Sequence, residues 1–153
     1  MAGLLHEVEA AARTLGLQLQ LVPVFGPEDV VSAFAAMARE RAGALIVMPS
    51  PILFGEYPRI TSLAATGRLP AMGAAREFAD LGGLMSYGVN QVDLARQTAT
   101  YVDKILKGAK PAELPVEQPV KFELVINLKT ARELRGTLSK EFESLLVADD
   151  VVE

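Results

Sequence analysis

The chain's single histidine, His6, stands in "HEVEA" directly before Glu7. A zinc-protease helix needs a second histidine four residues after the first, where both imidazoles share one helix face. That position is Ala10, so no metal pair forms. A Ser-His-Asp triad would depend on the same His6, and no G-x-S-x-G elbow presents a nucleophile. Neither G-x-x-x-x-G-K nor G-x-G-x-x-G occurs, and the absence of cysteine removes thiol catalysis and thiolate metal sites together. Carboxylates are plentiful, but most fall on the solvated faces of predicted helices, and the sequence alone gives no pair of them a reason for a raised pKa. The expectation is a protein without catalysis, cofactor or bound metal.

Residues suited to binding cluster differently. Ligands of open parallel sheets collect beyond the carboxyl ends of the strands. Three stretches fall there: "MPSPILF" (48–54), "AAREF" (74–78) and "SYGVN" (86–90). Ser50 offers one hydrogen bond, or simply helps a proline-flanked turn. Arg76 can clamp a carboxylate with its planar fork, or pair with a neighbouring acid such as Glu77 or Asp80. Tyr87 supplies a flat aromatic wall beside Ser86. Asn90 is either a ligand contact or, by roughly two to one, the N-cap of the helix beginning at "QVDLARQ". The candidate ligand-binding residues are therefore Ser50, Arg76, Glu77, Ser86, Tyr87 and Asn90.

The elements that must position them follow from periodicity. "LLHEVEAAARTLGL" has helical spacing, with Gly16 as its stop. "LQLQLVPV" (17–24) alternates like a strand. "GPEDVVSAFAAMARERAG" opens a helix on Pro27 and two acids, with Val30, Val31, Phe34, Met37 and Ala38 as its buried stripe. "ALIVMP" (44–49) is a continuous apolar run, as in a strand covered on both faces. "YPRITSLAATGR" is a helix, "LPAMGA" and "LMSYG" are strands, and "NQVDLARQTATYVDKILKG" is a long amphipathic helix. "GAKPAELPVEQP" (108–119) is a proline-rich crossover, "VKFELVIN" a strand, and "LKTARELRG" a final helical start. The alternation predicts an α/β fold: a wound parallel sheet with helices on both faces.

With 153 residues, half of them hydrophobic and 22% charged, the chain is one domain's worth of folded protein. A net charge of -4 without a basic cluster argues against nucleic acid. No apolar run reaches the ~18 residues of a membrane span. The N-terminal residues do not read as a signal peptide. One feature is odd: the chain starts on a helix, whereas a wound α/β lobe normally starts on its central strand.

Four stretches, "EVEAAARTLGLQLQ", "FAAMARERAGALIVMPSP", "REFADLGGLMSYGVN" and "ATYVDKILKGAKPAELPVEQPVKFELVINLKTARELRG", resemble the ABC transporter substrate-binding proteins related to tryptophan/tyrosine uptake. The likeness runs from about Glu7 to Leu134. It implies one lobe of a type I periplasmic-binding-protein-like fold, the C-terminal half of a two-lobed protein, in which 1–153 form a single α/β domain. The first strand of that lobe would precede Met1. Residues 90–119 would be a crossover helix and linker facing the N-terminal lobe, and "GGLMSYGVN" would lie at the hinge with Ser86, Tyr87 and Asn90 toward the cleft. The resemblance further implies a small-molecule ligand such as an amino acid or carboxylate, an ABC permease as partner, and a periplasmic location, or a cytoplasmic one for a chain starting at Met1. Family members often carry an acid where Ser50 stands.

The helix starting at Asn90 presents Val92, Leu94, Ala95, Thr98, Ala99, Val102, Ile105 and Leu106, an apolar stripe too broad for solvent. The expectation is a homodimer docked through 90–119, with folding of this helix onto its own sheet as the alternative.

Overall fold

The computed structural model describes residues 2–134, 138 and 150–152. They fall into two compact units, 1–42 and 43–153.

The first unit holds α1 (Ala2–Thr14) and α2 (Asp29–Arg39). α1 stops where the sequence places its glycine, and the Leu17 N–H donates back to the Ala12 carbonyl. The Asp29 carboxylate fixes the start of α2 by accepting from the N–H groups of Phe25 and Gly26 at 2.9 and 3.2 Å. The buried side of α2 is Val30, Ala33 and Met37, while Val31 and Ala38 of the expected stripe are exposed. The strand expected over 17–24 does not form. Alternation specifies the two faces of a strand but not its neighbour, and this segment has no ladder partner among the described residues; Leu17, Leu19 and Leu21 are exposed.

The second unit is built on a five-stranded sheet: β1 (Leu45–Ile46), β2 (Ala71–Gly73), β3 (Met85–Val89), β4 (Phe122–Asn127) and β5 (Asp150–Val152), in that spatial order. β1, β2 and β3 run parallel, as do β4 and β5. The β3–β4 pair is antiparallel, because the chain leaves β3 through a long helix and returns over the proline-rich segment from the same end. The sheet is thus mostly parallel, as the sequence pattern predicts, with one reversal. Between the strands lie α3 (Pro51–Gly55), α4 (Tyr57–Thr66), α5 (Arg76–Asp80), α6 (Gln91–Leu106) and α7 (Leu128–Glu133). No helix among the described residues is long and apolar enough to cross a membrane.

The core of this unit centres on Phe78 of α5, which is 0% exposed. Its ring lies so close to Gly73 and Gly83 that a Cβ on either would overlap it. Tyr57 meets the Phe78 ring edge-on at 4.9 Å, and Phe54 meets Tyr57 likewise at 5.3 Å. Ala71, Ala79, Leu84, Val125 and Ile126 complete the interior. Asn127 locks the far end of β4: its side chain donates to the Ala79 carbonyl at 2.9 Å and accepts from the Thr130 N–H, capping α7.

Candidate functional site

The register of β3 against β4 separates the candidate residues. Ser86 lies opposite Val125 and Gly88 opposite Glu123 on one face; Tyr87 lies opposite Leu124 and Val89 opposite Phe122 on the other. The first face is covered by α5. There the Ala74 carbonyl approaches Gly88 so closely that a Cβ at position 88 would collide with it. This close approach at Gly88 and the contact of Gly83 with the Phe78 ring account for two of the three glycines in the "GGLMSYGVN" stretch, and the third, Gly82, takes a positive φ of 99°.

Ser86 is accordingly inside, 1% exposed. Tyr87 is outside, 52% exposed, and stacks on Phe122 with ring centroids 5.9 Å apart and planes 22° from parallel. The two rings form a diagonal cross-strand pair.

Arg76 begins α5, three residues beyond the end of β2. Its guanidinium lies between two carboxylates, with Nε 3.7 Å from Asp80 and a terminal nitrogen 4.0 Å from Glu123. Glu123 also accepts from the Asn90 side-chain amide at 3.1 Å. Asn90 in turn caps α6, its side-chain oxygen accepting from the Asp93 N–H at 2.9 Å. The acid that sequence proximity suggested, Asp80, is thus one partner, and Glu123 is a second that only the β3–β4 pairing brings near. Arg76 and Tyr87 lie toward the carboxyl ends of neighbouring parallel strands, but on opposite faces of the sheet. Glu77 is exposed beside Arg76. Ser50 precedes α3 in extended backbone, its carbonyl accepting from the Phe54 N–H at 2.9 Å and its hydroxyl making no capping bond.

Tyr57, which sequence reasoning did not single out, is buried near the same rim. Its hydroxyl lies close to the Ala74 backbone without a well-formed hydrogen bond to any described residue. Burial pushes the phenol pKa up, the Ala74 backbone opposes this, and the Glu77 carboxylate adds to the rise. The hydroxyl therefore stays protonated at neutral pH. Only its aromatic character could have been noted from sequence, since its burial comes from Phe54 and Phe78.

The enclosed space lies elsewhere. A cavity of about 180 Å³ opens at the amino ends of β2 and β3, between Ala64, Arg68, Gly83, Thr130 and Leu134. A wider hollow of about 440 Å³ adjoins it along Thr61, Asp80 and Lys129. None of the six candidate residues lines either one. The rim around Arg76 is an open surface, suited to one side of a cleft. Among the described residues no three histidines, cysteines or acids come together to hold a metal ion.

An α/β lobe with an open polar rim at its strand ends is the architecture of a binding-protein half, and comparison with known proteins agrees. A family model described as ABC transporter substrate binding protein matches residues 3–152. The chain belongs to that family, which is a family of substrate-binding proteins rather than a class of enzymes. Among solved structures it is similar to a conserved domain protein of Vibrio cholerae, with 27% identity, 98% of this chain and 50% of that chain covered, and a TM-score of 0.84. It is equally similar to an ABC domain in complex with L-Trp from Streptococcus pneumoniae: 27% identity, 99% of this chain, 50% of that chain, TM-score 0.85. CD0873, a substrate-binding protein with adhesive properties from Clostridium difficile, shares the fold in a ligand-free, open structure at 17% identity, with 97% of this chain and 48% of that chain covered and a TM-score of 0.65. The chain thus spans about half the length of these proteins. No curated protein matches it.

Proposed function

We propose that this chain forms one wall of the solute site of an ABC-type importer, working with a permease outside the cytoplasmic membrane and taking an amino acid or small carboxylate. The observation that carries the reading is the likeness, over 99% of the chain, to a domain that binds L-Trp. Arg76 is the anchor for a ligand carboxylate, sharing its guanidinium with Asp80 and Glu123; Glu77 and Asn90 flank it, and Ser50 contributes from the β1 loop. Tyr87 offers an aromatic surface on the other face of the same strand ends, with Ser86 supporting the strand from inside. The chain's six candidates thus divide into ligand contacts and the framework that holds them.

Isothermal titration with L-tryptophan, L-tyrosine and small carboxylates tests this. Arg76→Ala is expected to weaken the best ligand by about 1.5–3 kcal/mol, the range for a charge-assisted hydrogen bond. Unchanged affinity would return Arg76 to a purely structural pair with Asp80 and Glu123.

A second reading is favoured by α6, none of whose residues is buried: a dimeric interaction protein that keeps the lobe without transport. In that reading the segment 90–119 docks on a second copy. Light scattering on the 153-residue chain distinguishes it, since a monomer near 16.4 kDa excludes the dimer.

A further inference from the structure

Tyr57 opens α4, and two of the three rim stretches meet on it. Phe54, the last residue of 48–54, lies edge-on to its ring at 5.3 Å, and Phe78, the last residue of 74–78, at 4.9 Å. Ala74, the first residue of 74–78, sets its backbone beside the hydroxyl. Tyr57 is 2% exposed, and its hydroxyl has no hydrogen-bond partner among the described residues. These neighbours all belong to the unit 43–153, so the enclosure does not depend on anything outside the chain. A phenol buried without an acceptor is costly to the fold, and phenylalanine would fill the same space without that cost. Packing alone therefore gives no reason for this oxygen.

Its surroundings define the kind of group it lacks. The Ala74 backbone favours the ionised phenol, which only an N–H can do, so the oxygen already faces a donor. Burial and the Glu77 carboxylate keep the proton on the oxygen. That proton is the half left over, and it needs an acceptor. The way in runs past Phe54. Phe78 is 0% exposed and wedged against Gly73 and Gly83, whereas Phe54 is 43% exposed and stands on α3, a helix of five residues. Of the two rings on Tyr57, Phe54 is the one with room to turn, and exposed side chains change rotamer rapidly.

We propose that the Tyr57 hydroxyl is a hydrogen-bond donor held for the solute, taken up by an acceptor oxygen or nitrogen of that solute when the Phe54 ring turns aside. This rests on the solute-site reading given above and adds a specificity determinant to it. A solute bringing an acceptor to the edge between Phe54 and Ala74 is bound in preference to one bringing a methyl group or an N–H there.

Tyr57→Phe tests this, because it deletes one oxygen and keeps the ring. Its urea midpoint is expected to stay or rise. Its affinity for whichever of L-tryptophan, L-tyrosine and the small carboxylates binds best is expected to fall roughly threefold to tenfold. A lower midpoint would mean that the hydroxyl is bonded within the fold, and would overturn the proposal whatever the affinity does. Unchanged midpoint with unchanged affinity would overturn it too. Arg76→Ala separates this failure from that of the wider reading. Lost affinity in Arg76→Ala with none lost in Tyr57→Phe would remove Tyr57 from the site and leave the site standing, whereas a chain that binds none of these solutes would overturn both. Phe54→Ala takes away the covering ring and is expected to speed solute association in stopped flow; association no faster than in the unaltered chain would overturn the turning of Phe54 and the proposal with it.

Discussion

Consecutive residues of β3 meet different surroundings. Ser86 and Gly88 face α5, where a hydroxyl is fully enclosed and a backbone carbonyl occupies the space a side chain would need. Tyr87 and Phe122, on the other face, are half exposed, at 52% and 48%, and stack on each other. One strand thus carries a close-packed interior and an open aromatic surface only a residue apart. The difference separates two kinds of constraint: the inner face fixes the fold, and the outer face is free to answer to whatever docks on it. Substitutions on the two faces should therefore differ in what they change, stability on one and association or binding on the other.

The inner face should give the largest effect. Phe78→Ala removes a ring wedged beneath two glycines and against Tyr57, and is expected to cost about 3–5 kcal/mol in urea denaturation. A loss below 1 kcal/mol would mean that the interior collapses easily, erasing the contrast. Gly88→Ala comes next. Its new methyl would strike the Ala74 carbonyl, and the strain of making room is expected to cost about 1–3 kcal/mol. Because this shift also moves the start of α5, weaker solute binding should accompany it in titration.

Asn90 stands where the two faces end. Asn90→Ala removes both the α6 cap and the bond to Glu123, and should destabilise the chain by about 1 kcal/mol. A larger loss of solute affinity than of stability would assign it to the ligand as well as to the helix.

This cap was legible in the sequence, since an asparagine before an amphipathic run with an acid three residues later has an evident local use. So were α1, α2, α4, α6 and the strands at 71–73, 85–89 and 122–127, whose periods are local. What was not legible depends on distant neighbours. The alternating 17–24 segment forms no strand, because nothing in its own residues supplies a ladder partner. α5 is five residues long, too short for its period to register, and it is the element that buries Phe78. β5 pairs in parallel with β4 although the tail carried no clear strand signal. The reversal of β4 is set by the route of 108–121, and the second partner of Arg76 follows from that reversal, 47 residues away in sequence.

The outer face supplies the smallest stability effect. Tyr87 contacts Phe122 in a stacked pair, and such pairs contribute about 0.5–1.5 kcal/mol beyond area burial. Both rings already meet water, so Tyr87→Ala should fall at or below the lower end of that range in urea denaturation. Its larger consequence should appear with an aromatic solute, where removing a flat partner for the ligand ring weakens binding while the fold persists. The informative control is Phe122→Leu, which keeps an apolar neighbour and removes the stack. If both variants lose stability as heavily as Phe78→Ala, the outer face belongs to the core after all. If Tyr87→Ala leaves stability intact and depresses affinity for L-tryptophan more than for a small aliphatic carboxylate, the exposed ring is a recognition surface rather than an unfilled edge.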